Sequence, residues 1–283
     1  MIHTPTSRGD GARTPLLAHR TVTAEHAQPA RWVMFLHGFL GAGRNWASIG
    51  RGLVQARPDW GAVLVDLRLH GNSTGFAPPH TVAACAADVN ALALHLRGRE
   101  FAILGHSFGG KVALAASRSP GPSLRQVWVM DSTPERGQTG PGAGRLLTLL
   151  RGMPSRYGDR REAVAIVEGA GFPAVLAQWV ATNLERGPDG YHWRLDLAAL
   201  EFLLADFYRE ELWDAVQHPA PGVDLVFVRA RTGSILSDAA ASRIARLSSD
   251  GVPVRLVEIA GGHWLNMSNP GGVLSLLAEG LPA

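Results

Sequence analysis

The five residues Gly105-His106-Ser107-Phe108-Gly109 constrain this 283-residue chain more than any other stretch of it. They follow directly on the apolar run Phe101-Ala102-Ile103-Leu104 and precede Gly110-Lys111-Val112-Ala113-Leu114, which reads as the start of an apolar helix. A serine flanked by glycines two residues away on each side, at a strand-to-helix junction, calls for a turn too tight for ordinary side chains. Such a turn lifts the Ser107 hydroxyl to a helix N-terminus, where developing negative charge is favoured. The pattern therefore asks for strands followed by helices, with the chemistry at a strand end.

The rest of the chain has room for that architecture. Short, unalternated apolar runs occur at 32–36, 62–65, 126–130, 223–228 and 254–259. Runs of this kind suit strands buried on both faces of a parallel sheet. Helical stretches such as 81–97 and 110–118 separate most of them, so the sequence predicts an α/β fold with an open, doubly wound sheet. The alternation stops between about 133 and 220. There the apolar positions recur at helical spacing (Ala163, Ile166, Val167, Ala170; Val175, Leu176, Trp179, Val180, Leu184; Leu197, Leu200, Leu203, Leu204), with no convincing strand. We read residues 16–132 and 220–283 as the α/β core and 133–219 as an inserted helical cap over the C-terminal edge of the sheet. A separate helical domain is the alternative. Residues 1–15 are polar, contain Gly and Pro, and read as a flexible N-terminal segment.

Composition removes several function classes. The formal net charge is only +3, and the arginines are scattered, with Lys111 the sole lysine, so no nucleic-acid partner is expected. The N-terminus lacks the apolar segment of a secretory signal, and no run approaches membrane-spanning length, so no membrane partner is expected and the setting reads as cytoplasmic. Cys85 is the one cysteine. It sits in Val82-Ala83-Ala84-Cys85-Ala86-Ala87 and reads as a packing residue; one cysteine allows neither an internal disulfide nor a cysteine-based zinc site. The histidines His37, His70, His106 and His263 fall on separate loops without metal-ligand spacing, so neither metal nor cofactor is expected.

A serine nucleophile needs a base, and the base needs an orienting acid. His192 falls in the inserted block and His218 at its end, whereas His263, in Gly261-Gly262-His263-Trp264, follows the last strand and reaches the same sheet edge as Ser107. His263 is the expected base. Asp131 directly ends the strand at 126–130 and is the favoured acid. Asp238 is the alternative, since an acid in this chain order commonly follows the next strand, but the intervening loop 229–237 has no carboxylate and Asp238 reads as a helix start after Ser237. Two backbone N–H groups are expected to face the carbonyl oxygen, from Phe108 after the nucleophile and from Phe39 in His37-Gly38-Phe39-Leu40-Gly41. His37 and His106 read as structural. In Asp66-Leu67-Arg68-Leu69-His70-Gly71-Asn72-Ser73, an Asp66–Arg68 ion pair is expected to fix the loop as scaffold.

These motifs together resemble the α/β-hydrolase superfamily. More narrowly, Gly-His-Ser-Phe-Gly-Gly-Lys, Asp-x-Arg-x-His-Gly-x-Ser and Gly-Gly-His-Trp are similar to those of a small acyl-esterase subfamily of bacterial cytoplasmic esterases and their organellar relatives. The similarity extends into the inserted block through Gly171-Phe172-Pro173 and Gln178-Trp179-Val180-Ala181-Thr182-Asn183-Leu184. The resemblance implies an eight-stranded, mostly parallel sheet flanked by helices, a helical cap and a cofactor-free Ser-His-Asp hydrolase. It implies Ser107 as nucleophile, His263 as base, Phe39 and Phe108 as oxyanion donors, and an acid on the strand beside the elbow strand, Asp131. The arginine-rich loop 229–231 departs from the pattern.

Three functions follow as expectations. The first is a carboxylesterase or thioesterase acting on small-molecule esters as a monomer or dimer, with Trp179, Phe202, Phe207 and Trp213 as candidate pocket aromatics. The second is a cofactor-free lyase of the menaquinone pathway, which uses the same triad and needs basic groups such as Arg145, Arg151, Arg156 and Arg186 for a dicarboxylate. The third is a ligand receptor on a retained hydrolase fold.

Overall fold

A computed structural model describes residues 15–96, 100–121, 123–137 and 142–282. Nearly all of the flexible segment read at 1–15 lies outside them. The chain begins with β1 (His19–Val22), β2 (Arg31–Leu36), α1 (Ala47–Ala56), β3 (Trp60–Val65), α2 (Val82–His95), β4 (Glu100–His106), α3 (Phe108–Ala116) and β5 (Leu124–Met130). The block that follows holds α4 (Ala143–Gly152), β6 (Arg156–Tyr157), α5 (Arg160–Gly169), α6 (Ala174–Ala181), β7 (Leu184–Gly187), β8 (Gly190–Trp193), α7 (Leu197–Arg209) and α8 (Trp213–Gln217). The chain then returns through β9 (Asp224–Ala230), α9 (Asp238–Ser249), β10 (Val254–Ile259), α10 (Leu265–Ser268) and α11 (Pro270–Gly280).

The main sheet runs β1-β3-β2-β4-β5-β9-β10. Only β1 is antiparallel to its neighbour. Alternation of side chains across the pleat explains the unbroken apolar runs. Trp32, Met34 and Leu36 face one core with Ile103, Val112, Val129 and Phe227. Val33 and Phe35 face the other with Leu104, Trp128, Leu53 of α1 and Leu277 of α11. Cys85 is fully buried in the first core, and burial pushes its thiol pKa well up, as a packing residue requires.

Three expectations need correction. The sheet has seven strands among the described residues, not eight, with β1 and β10 at its edges. The inserted block is not purely helical, because β6, β8 and β7 form a small antiparallel sheet. Finally, Arg68 does not pair with Asp66. It grips Asp88 of α2 through Nε at 2.7 Å and Nη2 at 2.9 Å, and donates to the carbonyls of Ala77 and Pro79. Asp66 instead accepts from the N–H groups of Gly43 (2.7 Å) and Asn72 (2.9 Å), so each side chain fixes a different loop.

The only lysine fastens the block to the core. Lys111 lies in α3, and its Nζ donates to the carbonyls of Glu135, Phe207 and Glu210, each at 2.8 Å. Two of these acceptors belong to the C-terminal end of α7, whose last carbonyls lack partners within the helix. Replacing Lys111 by Met strips the donor from three carbonyls in a buried setting. The expected loss is about 3 kcal/mol, a fall in Tm of roughly 5 °C in thermal denaturation.

Candidate active site

The order of strands reverses between β2 and β4, so the loops leaving their C-terminal ends diverge and open a crevice there. The β4–α3 loop is one residue long. Ser107 occupies it with φ +52° and ψ −115°, a conformation L residues rarely adopt, and its own N–H is held by the Met130 carbonyl at 2.9 Å. The flanking glycines are dictated by space. A Cβ on Gly105 would lie 2.0 Å from the Gly109 carbonyl oxygen, and one on Gly109 would lie 2.5 Å from the His37 carbonyl oxygen.

Asp131 follows β5 and is fully buried. Its Oδ2 accepts from His263 Nδ1 at 2.6 Å. Its Oδ1 accepts from the Ala230 N–H at 3.0 Å and from the Ser234 hydroxyl. Burial alone would raise the carboxyl pKa; the hydrogen bonds from His263, Ser234 and Ala230 outweigh it and hold Asp131 below its ordinary value, ionised. Ser234 was invisible to sequence reasoning. The loop 229–237 holds no carboxylate; what it supplies is donors to the carboxylate that follows the neighbouring strand.

Asp238 stands apart. It begins α9 after the Ser237 cap, is 92% exposed, and is paired with Arg229. Arg229 also holds Glu258 of β10, so the arginine-rich loop is tied along β9 and β10.

The other predicted positions converge on one cavity of about 580 Å³. Ser107, His263, Phe39 and Phe108 all line it. Phe108 is the first residue of α3, so its N–H has no acceptor inside the helix. The Phe39 and Phe108 rings meet edge to face with centroids 6.1 Å apart. Leu146, Phe172, Leu176, Trp179, Leu204 and Phe207, from the inserted block, make the opposite wall apolar. Of the candidate aromatics, Trp179 and Phe207 thus reach the cavity. Phe202 is 71% exposed, and Trp213 is buried beneath the Arg243 guanidinium. No arginine is among the described lining residues. Arg145 stacks on Phe172, Arg151 pairs with Glu201, and Arg156 pairs with Asp189. Among the described residues no group of three or more His, Cys, Asp or Glu side chains is arranged to hold a metal ion, and no helix is long and apolar enough to cross a membrane.

Three further histidines brace the site. His37 Nδ1 donates to the Gly38 carbonyl (2.8 Å) while its Nε2 accepts from the Leu67 N–H (3.0 Å). His70 does the same between the Arg68 carbonyl (2.8 Å) and the Leu40 N–H (3.0 Å). His106 Nε2 donates to the His263 carbonyl at 2.7 Å, which steadies the loop carrying His263. Burial pulls the pKa of His37 down to about 4 and those of His70 and His106 down to about 3. Charging His37 or His70 would also turn Nε2 toward an N–H as a second donor. These folded-state values lie below the ordinary 6.5, so the stability they confer is complete above pH 6.5 and is lost as pH falls toward 4 and below. The loss expected from His37 alone is on the order of 3 kcal/mol, read as a falling urea midpoint across that range.

Known proteins resemble this chain in sequence and in fold. The chain is similar to the sn-1-specific diacylglycerol lipase ABHD11 of Danio rerio, 28% identical over 179 residues, covering 62% of this chain and 56% of that protein. With the Mus musculus protein of the same name it is 24% identical over 263 residues, covering 90% of this chain and 81% of that one. A shorter match, 28% over 120 residues, joins it to the 2-succinyl-6-hydroxy-2,4-cyclohexadiene-1-carboxylate synthase of Klebsiella pneumoniae, covering 40% of this chain and 44% of the synthase. Among solved structures, a marine microorganism esterase superposes with a TM-score of 0.80 at 22% identity, covering 94% of this chain and 99% of its own, which speaks for the fold. The α/β-hydrolase family profile matches residues 33–276, and with the elbow, the sheet order and the converging loops it follows that this chain belongs to that family.

Proposed function

We propose that this protein is a carboxylesterase-like serine hydrolase that cleaves carboxylic or thio esters of small acyl groups. Residues 133–219 serve as its cap, and 16–132 with 220–283 as its core. Ser107 is the nucleophile, His263 the base and Asp131, not Asp238, the acid. The observation that carries this reading is the 2.6 Å His263–Asp131 bond beside a positive-φ Ser107 in one apolar cavity.

Asp131 keeps the proton of His263 on Nδ1, so Nε2 is free to take the Ser107 proton as Oγ attacks the acyl carbon. The carbonyl oxygen becomes an oxyanion and accepts from the N–H groups of Phe39 and Phe108. Collapse expels the alcohol or thiol, which takes the proton from His263 Nε2. The acyl-enzyme is then cleaved by a water that His263 deprotonates. The apolar wall accommodates the acyl chain and excludes water from the oxyanion.

The synthase similarity leaves a second reading, a cofactor-free lyase of the same site. The cavity disfavours it, because a dicarboxylate needs cations and the described lining has only Lys111, whose ammonium is already given to three carbonyls. The test is a p-nitrophenyl ester series from acetate to octanoate, with a dicarboxylate lyase substrate alongside. Hydrolysis of the short esters supports the esterase reading; turnover of the dicarboxylate with no ester hydrolysis reverses it.

A further inference from the structure

The loop that carries the Phe39 N–H is held from the inserted block as well as from the sheet. Leu40 sits in the left-handed region at φ +61°, which a branched side chain adopts only when its surroundings impose it. On the core side, the Leu40 N–H is fixed by His70 Nε2 at 3.0 Å, and the Gly41 N–H returns to the Gly38 carbonyl at 2.9 Å. On the other side, the Leu40 carbonyl accepts twice. Trp179 Nε1 donates to it at 3.1 Å, and Asn183 Nδ2 at 2.9 Å. Asn183 is 1% exposed and its Nδ2 also donates to the Val180 carbonyl, so its amide is locked to the end of α6. Arg44, three residues past the loop, donates back to the Thr182 carbonyl at 2.8 Å. The Trp179 ring is itself seated on Trp264, beside His263, with centroids 4.2 Å apart.

We infer that Trp179 and Asn183 are positioning residues for the oxyanion site: by gripping the Leu40 carbonyl they fix the peptide geometry that aims the Phe39 N–H, so that docking of α6 completes the catalytic centre. The inference rests on the hydrolase reading above and deepens it. A wall that only shapes the acyl chain would act on substrate affinity. A wall that also holds an oxyanion donor acts on the transition state, because the donor meets negative charge only there. In the sequence both residues belong to Gln178-Trp179-Val180-Ala181-Thr182-Asn183, a stretch whose polar members have no other task in the proposed reaction.

The test compares Asn183→Leu and Trp179→Phe with wild type and with Arg151→Ala, which breaks an exposed ion pair to Glu201 elsewhere in the block. Each protein is assayed with p-nitrophenyl butyrate and with an aliphatic trifluoromethyl ketone, whose adduct with serine places an oxyanion where the substrate's would form. Misaiming one donor without removing it should lower kcat by about 10- to 100-fold and leave KM within about 2-fold. Inhibition by the ketone should weaken by the same factor as kcat, and Arg151→Ala should match wild type in every readout. If Asn183→Leu does not fold, as judged by its melting curve, the same pattern must appear in Trp179→Phe, which keeps an aromatic ring on Cβ and removes the Nε1–H donor together with the outer part of the indole. Folded variants with unchanged kcat and unchanged ketone affinity overturn the inference, as does a rise in KM alone. The wild-type rate is the separate check on the hydrolase reading: a wild type that does not turn over esters overturns both, whereas equal rates in wild type and variants overturn only this assignment.

Discussion

Replacing Ser107 by Ala is expected to reduce ester turnover by about 10⁶-fold, to the rate supplied by the oxyanion donors and binding alone. The effect is large because no neighbouring group can take over. The strained turn puts the Ser107 hydroxyl at the cavity between His106, whose Nε2 is given to the His263 carbonyl, and Phe108, which carries no nucleophile. Folding should be unharmed. Alanine removes one hydroxyl and relieves none of the hydrogen bonds that hold the turn, since these run through the Ser107 N–H and carbonyl. The melting temperature should therefore match wild type while turnover with p-nitrophenyl butyrate disappears. Appreciable turnover by a folded Ser107→Ala protein would mean that the chemistry runs elsewhere.

The second large effect is expected at Asp131. Asp131→Asn should lower kcat by about 10⁴-fold, because the fault lies in the placement of a proton rather than in packing. Oδ1 faces two donors, the Ala230 N–H and the Ser234 hydroxyl, so the amide oxygen of Asn will turn there. Its NH2 then points at His263 Nδ1, which must accept. The ring carries its proton on Nε2 instead, and Nε2 can no longer take one from Ser107. Asp238→Asn loses only an exposed ion pair with Arg229, worth about 1 kcal/mol or less, and should leave kcat within about 2-fold of wild type. Measuring both variants at one pH separates the two carboxylates directly; a silent Asp131→Asn with an inactive Asp238→Asn would exchange their roles.

What the sequence made legible was whatever is written in contiguous residues. Five of the six apolar runs became β2, β3, β4, β5 and β9 because a strand buried on both faces has little room for polar alternation; the sixth became β10, an edge strand that leaves Arg255 and Glu258 exposed. The elbow was legible because its glycines answer to sterics within five residues. β1 was missed because His19-Arg20-Thr21-Val22 is an edge strand, largely exposed, and carries no apolar run. The strands β6, β7 and β8 carry no signal because each spans four residues or fewer and none holds an apolar run: Arg156-Tyr157, Leu184 to Gly187 and Gly190 to Trp193. Asp66 is the acid nearest to Arg68 in sequence, but its partner Asp88 is 20 residues away on α2, a choice that only the packing of α2 on the sheet makes. The hydrogen bonds of Ser234 to Asp131 and of Asn183 to Leu40 span 103 and 143 residues, and nothing local marks either side chain as a donor to those groups.

The central claim is that Ser107 receives the acyl group. The most direct measurement is intact-protein and peptide mass analysis after reaction with an alkyl fluorophosphonate. The account predicts one adduct, on the peptide that carries Ser107, absent from Ser107→Ala and retained in Asp238→Asn. An adduct on another residue, or labelling of Ser107→Ala equal to wild type, would contradict it.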